Sequence, residues 1–130
     1  MDRAEGNRPS ITIVESHPAM QEVIKKIVES MGGRVQYVLK NDHLLLELLD
    51  SGINIDLCII DLSPKRPAVL ATITELKTKH TDILWLGISI NNSERFRLRA
   101  LETGLHAFYC KLEPIDRFRL ILSQLLAKYN

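Results

Sequence analysis

The sequence predicts an α/β fold in which helices cover both faces of one parallel sheet, and three observations carry that expectation. Apolar runs of strand length alternate with segments of helical periodicity five times along the 130 residues. The run from Ile55 to Asp61 is continuously apolar over Leu57, Cys58, Ile59 and Ile60, without the alternation of a half-exposed strand, so it reads as buried on both faces. All connections are short, and a strand joined through a helix to the next strand returns parallel, because the crossover is right-handed.

Ile11-Thr12-Ile13-Val14 is a short β-branched strand that ends on an acid, Glu15. Ser16 or His17 precedes a helix with Pro18 in its first turn, and Ser16 reads first as the cap of that helix. Val23, Ile24, Ile27, Val28 and Met31 form its apolar stripe, and Gly32-Gly33 stops it. Arg34 to Leu39 is the second strand, with Val35, Tyr37 and Leu39 alternating. Asn41 is an N-cap with Asp42 in the first turn, and the second helix runs through Leu44, Leu45, Leu48 and Leu49 to Ser51-Gly52. The central strand, Ile55 to Asp61, follows. Its successor, Leu62 to Pro67, is a loop by its prolines. The third helix carries Val69, Leu70, Ile73 and Leu76 on its apolar side. Ile83 to Ile88 is a fourth strand and ends at Ser89. Ser93 caps a fourth helix, Glu94 to Thr103, and Gly104 ends it. Its Arg95, Arg97 and Arg99 read as a solvated face. Ala107 to Cys110 is the fifth strand, closed by Lys111. Pro114 starts a fifth helix with Ile115, Phe118, Leu122 and Leu125 inward.

Composition narrows the function classes. The length suits one domain with a sizeable core, and 45% hydrophobic with 25% charged residues is ordinary for a globular chain. A net charge of +1 exerts no long-range pull on nucleic acid or a membrane surface. No stretch approaches the length of a membrane span. Residues 1–9 are polar and lack the apolar core of a signal peptide, so they are expected to be a loose tail before a domain over 10–130. Cys58 and Cys110, each in its own apolar strand, read as reduced core thiols, which points to the cytoplasm.

The most economical layout for this pattern is the flavodoxin-like doubly wound sheet, five parallel strands in order 2-1-3-4-5. In that order strands one, three, four and five are neighbours. Their carboxyl ends bring Glu15, Asp61, Ser89 and Lys111 to one rim, the side of such sheets where ligands bind. Asp61 is then either a site residue or the cap of the next segment. Ser89 divides in the same way between site and turn. As a set, the four groups suit phosphoryl chemistry. Two nearby acids repel unless a cation lies between them, and Mg²⁺ with several waters would suit the pair. Lysine is a compact charge for a phosphoryl oxygen, a serine hydroxyl can donate to another, and Asp61 can be the nucleophile.

At this point the residues resemble a known family, the receiver domain of two-component response regulators, over Ile11 to Lys128. Ile-Val-Glu15-Ser16-His17-Pro18 is similar to the family's acidic opening, and its His-Pro to the version common in receivers joined to helix-turn-helix domains. Asp56-Leu-Cys-Ile-Ile-Asp61 resembles the strand of the phosphoacceptor. Ser89 precedes Lys111 by the family's usual interval, and Phe108 stands where the family has its switch aromatic. The resemblance implies that a histidine kinase or phosphotransfer protein donates a phosphoryl group to Asp61. It implies Mg²⁺ on Glu15, Asp61 and the carbonyl near Ser63, with Ser16 as a further pocket residue. Lys111 and Ser89 would bind the phosphoryl group, and Ser89 and Phe108 would move on activation. The signal would pass to an output domain or a second copy through helix 4, strand 5 and helix 5. Such a domain is a switch rather than an enzyme with an external substrate, with no nucleic-acid contact of its own and no membrane.

Several positions depart from the family pattern. Ser16 replaces one acid of the opening pair. Leu112 replaces the proline after the lysine. Pro64 arrives one position early, Val69 stands where a glycine is usual, and Phe108 lacks the hydroxyl of the commoner tyrosine. These departures support an alternative: a pseudo-receiver that acts as a phosphorylation-independent interaction module. A flavin- or cobalamin-binding relative of the same fold lacks its phosphate or Asp-x-His-x-x-Gly loop here.

Overall fold

The computed structural model describes residues 8–62 and 68–129. Strands β1 (Ser10–Val14), β2 (Arg34–Leu39), β3 (Leu57–Asp61), β4 (Leu84–Ser89) and β5 (Ala107–Cys110) form one parallel sheet in the order β2-β1-β3-β4-β5. Between and after them lie helices α1 (Pro18–Ser30), α2 (Asp42–Asp50), α3 (Ala68–Lys79), α4 (Glu94–Glu102) and α5 (Ile115–Leu126), with a short 3-10 turn at Ala127–Tyr129. This is the doubly wound topology that the alternation of patterns predicts.

Strand pleating sorts the core into two layers. Ile11, Ile13, Leu57, Ile59, Leu86 and Ile88 face α1 and α5, where they meet Ile24, Ile27, Val28, Phe118 and Leu122. The intervening residues Val14, Cys58, Ile60 and Trp85 face α2, α3 and α4, against Leu45, Leu49, Ile73, Leu76 and Ala100. Both faces of β3 are therefore apolar, which is why its sequence does not alternate. Each of these large aliphatic side chains contributes about 1.5–3 kcal/mol by leaving water.

The punctuation residues act as their chemistry predicts. Asn41 Oδ1 accepts from the Leu44 N–H at 3.0 Å and caps α2; Ser93 Oγ accepts from the Phe96 N–H at 3.1 Å and caps α4. Gly32 and Gly52 end their helices with φ of +90° and +89°. Other expectations are corrected. The N-cap of α1 is His17 without a side-chain cap bond; Ser16 Oγ lies instead 3.4 Å from His17 Nδ1. With Pro18 at N1 the helix is preset without a hydroxyl. Strand β3 starts at Leu57 rather than Ile55. Asp56 ties the strand's entrance instead: its Oδ2 accepts from the Ser10 N–H at 2.7 Å and its own N–H donates to the Ser10 carbonyl at 2.9 Å. Val23 and Ile115, assigned inward by periodicity, are exposed, while Ile121 and Leu126 join the core of α5.

His106 replaces part of the β4–β5 ladder with its ring. Its Nδ1 accepts from the Trp85 N–H at 2.9 Å, and its own N–H donates to the Trp85 carbonyl at 2.8 Å. The ring must be neutral at Nδ1 to accept. Burial, then the charges of Lys77 and Lys128, pull its pKa below the ordinary 6.5. A base with a depressed folded pKa contributes stability that is complete above pH 6.5 and lost as the pH falls through the folded value. Denaturant unfolding of wild type should thus show stability falling below pH 6.5, with a shallower fall in His106→Gln.

Candidate functional site

Register builds the rim. Val14 lies opposite Ile60, so Glu15 and Asp61 leave adjacent strands at one level. Asp61 is opposite Ile88, which sets Ser89 one residue higher. Ser89 in turn is opposite Cys110, and Lys111 follows. Backbone bonds extend the sheet past the strand ends: Glu15 N–H to Leu39 carbonyl at 2.9 Å, Leu62 N–H to Ile88 carbonyl at 2.7 Å, and Lys111 N–H to Ser89 carbonyl at 2.7 Å.

Side chains from three strands then converge. Lys111 Nζ lies 2.6 Å from Glu15 Oε1 and 3.1 Å from Asp61 Oδ1, so one ammonium bridges both carboxylates. The other oxygen of Glu15, Oε2, accepts from the His17 backbone N–H and lies within bonding distance of His17 Nδ1, both at 3.1 Å. Gln21 Nε2 donates to the Glu15 carbonyl. The Glu15 side chain is 0% exposed, whereas Asp61 and Lys111 retain 11% and 10%. The acid at the centre of the cluster is thus sealed, and Asp61 is the carboxylate that solvent still reaches.

The two acids are poised differently. Burial pushes the Glu15 carboxyl up, but hydrogen bonds from Lys111 and from the His17 backbone and ring, with the Lys111 charge, outweigh it and hold it below the usual range. Burial also raises Asp61; Lys111 opposes it, Glu15 adds to it, and Asp61 stays above the usual range. An acid with a raised folded pKa favours folding at low pH and loses that contribution as the pH rises through the folded value. Asp61→Asn should therefore melt higher than wild type at pH 7, by about 2–5 °C, as for relief on the order of 1 kcal/mol. The excess should vanish as the pH approaches the carboxyl's own range.

Ser89 is fully buried. Its Oγ accepts from the Asn91 N–H at 3.0 Å and reaches the Leu62 carbonyl at 3.4 Å, so the hydroxyl ties the residue after Asp61 to the β4–α4 loop. Asn91 Oδ1 accepts from the Ser93 N–H at 2.9 Å, which leads to the cap of α4. Phe108 is half-buried between β5 and α4, its ring edge-on to Phe96 with centroids 6.0 Å apart. Glu15, Asp61 and Lys111 are thus in direct contact, Ser89 shares their rim, Ser16 is exposed, and Phe108 sits one layer away. Ser63 and Pro64 lie outside the described residues. His17 and Gln21 are partners that sequence reasoning missed. The signal for His17 was its place two residues after Glu15, the spacing at which a carboxylate accepts from the backbone of a turn.

Among the described residues, the donors that would face a divalent cation are already engaged. Mg²⁺ needs several oxygens disposed around it at near-octahedral geometry. Here Glu15 has donors on both oxygens, an ammonium stands between the acids, and Ser16 supplies no charge. Among the described residues no three His, Cys, Asp or Glu side chains gather as metal ligands.

No family model and no curated protein sequence matches the chain. Solved structures do. A pilus assembly-related protein from Burkholderia pseudomallei superposes with TM-score 0.81 at 17% identity, covering 98% of this chain and 96% of that one. A response regulator from Thermotoga maritima gives TM-score 0.81 at 17% identity over 92% of this chain and 98% of its own. The isolated receiver domain of RcsB from Salmonella enterica serovar Typhimurium, solved with a phosphomimetic, gives 0.77 at 18% over 92% and 86%. Many such neighbours are response regulator receiver domains, and the chain has their fold. No described helix is long and apolar enough to cross a membrane.

Proposed function

We propose that this chain is a receiver-type signalling domain whose response centre is Asp61. A histidine kinase or phosphotransfer protein would donate the phosphoryl group: an Asp61 oxygen bonds to phosphorus as the donor's P–N bond breaks. The observation that carries the reading is the convergence of Asp61, Lys111 and Glu15 at a solvent-reached rim, with Ser89 bonded to the segment after Asp61. Lys111 Nζ, already 3.1 Å from Asp61, is the group that would neutralise a phosphoryl oxygen. Ser89, its loop and Phe108 would carry the change to the surface of α4, β5 and α5, where an output domain or a second copy would read it. The domain would act as a switch in the cytoplasm and catalyse nothing on an external substrate.

Incubation with a small phosphodonor, with and without Mg²⁺, followed by intact mass measurement, tests this. Wild type should gain one phosphate and Asp61→Asn none. An unmodified wild type beside a responsive control receiver overturns it. One observation favours a second reading, a phosphorylation-independent interaction module. Glu15 is sealed and bonded on both oxygens by the protein's own groups, and Lys111 offsets one of the rim's two negative charges without a ligand.

A further inference from the structure

Resting on the assignment of this rim as the response centre, we propose that Lys111 is its resident cation: the ammonium occupies the ground between Glu15 and Asp61 and thereby excludes divalent metal. Glu15 has little left to offer a metal. A carboxylate has about four lone-pair positions. On Glu15, Lys111 takes one on Oε1, and the His17 N–H and Nδ1 face Oε2. The residue is 1% exposed, so no further oxygen lobe faces the solvent side.

Charge points the same way. Glu15 and Asp61 with Lys111 leave one net negative charge. A divalent ion would invert it to one positive charge while standing against an ammonium already in contact with both acids. A third acid would offset that excess positive charge, and Ser16, exposed and turned toward His17, supplies none. Lys111 also cannot drift easily. Its side chain is 10% exposed and its backbone N–H is bonded to the Ser89 carbonyl at 2.7 Å. A metal enters only if Lys111 first leaves Glu15.

Mn²⁺, counted through the EPR signal of the free ion, tests this directly. Wild type should leave Mn²⁺ free up to millimolar concentration. Lys111→Met should bind it with a Kd about tenfold or more lower, as removal of one opposing unit charge requires. Asp61→Asn added to Lys111→Met should abolish that gain. Lys111→Gln, which keeps a donor for Glu15, serves if the methionine variant does not fold. A wild type that binds Mn²⁺ below millimolar concentration overturns the assignment on its own. Equal binding by wild type and the lysine variants, or none by either, also overturns it. Phosphate uptake is read separately by mass. A protein that takes up phosphate but fails the Mn²⁺ test loses only the role of Lys111. One that passes it without taking up phosphate loses only the phosphoacceptor.

Discussion

Lys111→Met should lower the folding free energy by about 3–5 kcal/mol, the usual cost of leaving a buried charge without its partner. The side chain replaced is one of similar length, so packing changes little and charge changes most. Glu15 is the reason for the size of the effect. It is sealed from water and, among the described residues, touches no other lysine or arginine; His17, its second partner, is 77% exposed. Without the ammonium the Glu15 carboxyl would lose the main partner that holds it below its usual range, and burial would push it up. Urea unfolding at pH 7 reads the loss, and at lower pH the deficit should shrink as Glu15 neutralises. Glu15→Gln combined with Lys111→Met should recover much of it, because the pair is removed together. A double variant no more stable than Lys111→Met would refute the account, since the deficit would then have nothing to do with Glu15.

Trp85→Ala should cost about as much, 3–5 kcal/mol by roughly the usual scale for a buried aromatic. Trp85 is completely buried beside its register partner Cys58 on β3, under the layer made by α2, α3 and α4. Truncation leaves a void that neighbours such as Ile73 and Leu76, anchored on a helix, fill only in part. Trp85→Phe separates volume from polarity. The indole Nε1 finds no hydrogen-bond partner among the described residues. The phenylalanine variant loses apolar area but also an unsatisfied buried donor, and the two oppose each other. A cost below about 1.5 kcal/mol is expected for it. Thermal or urea unfolding of the two variants side by side checks the contrast; equal losses would mean that the ring nitrogen is satisfied in solution.

The sheet order could be read before any coordinates because each strand ends where its polar residue begins. Val14 to Glu15, Ile60 to Asp61, Ile88 to Ser89 and Cys110 to Lys111 are abrupt transitions, and right-handed crossovers leave few ways to arrange them. The rim was legible for the same reason: pleat and register place consecutive strand ends together. What remained hidden depends on side-chain direction. Periodicity put Val23 and Ile115 inward, yet both are exposed, since a helical stripe is wider than the contact it makes. Nothing in composition marked Lys111 as bridging two acids rather than pointing into solvent. Nor could the spacing of Glu15 and His17 say that one carboxylate would collect donors from three directions. The start of β3 moved by two residues, and at that entrance Asp56 adds its side chain to the backbone bond it makes with Ser10.

The hydrogen bonds that run from the Lys111 amide to Ser89, from Ser89 to Asn91, and from Asn91 through Ser93 to the first turn of α4 have a mechanical consequence. They yoke the lysine's backbone to the start of that helix by four successive links, three of them made by short side chains with little slack. A displacement of Lys111 along its strand is therefore delivered to the helix as a tug on its N-terminus, more than a dozen residues back along the chain yet only a few bonds away in space.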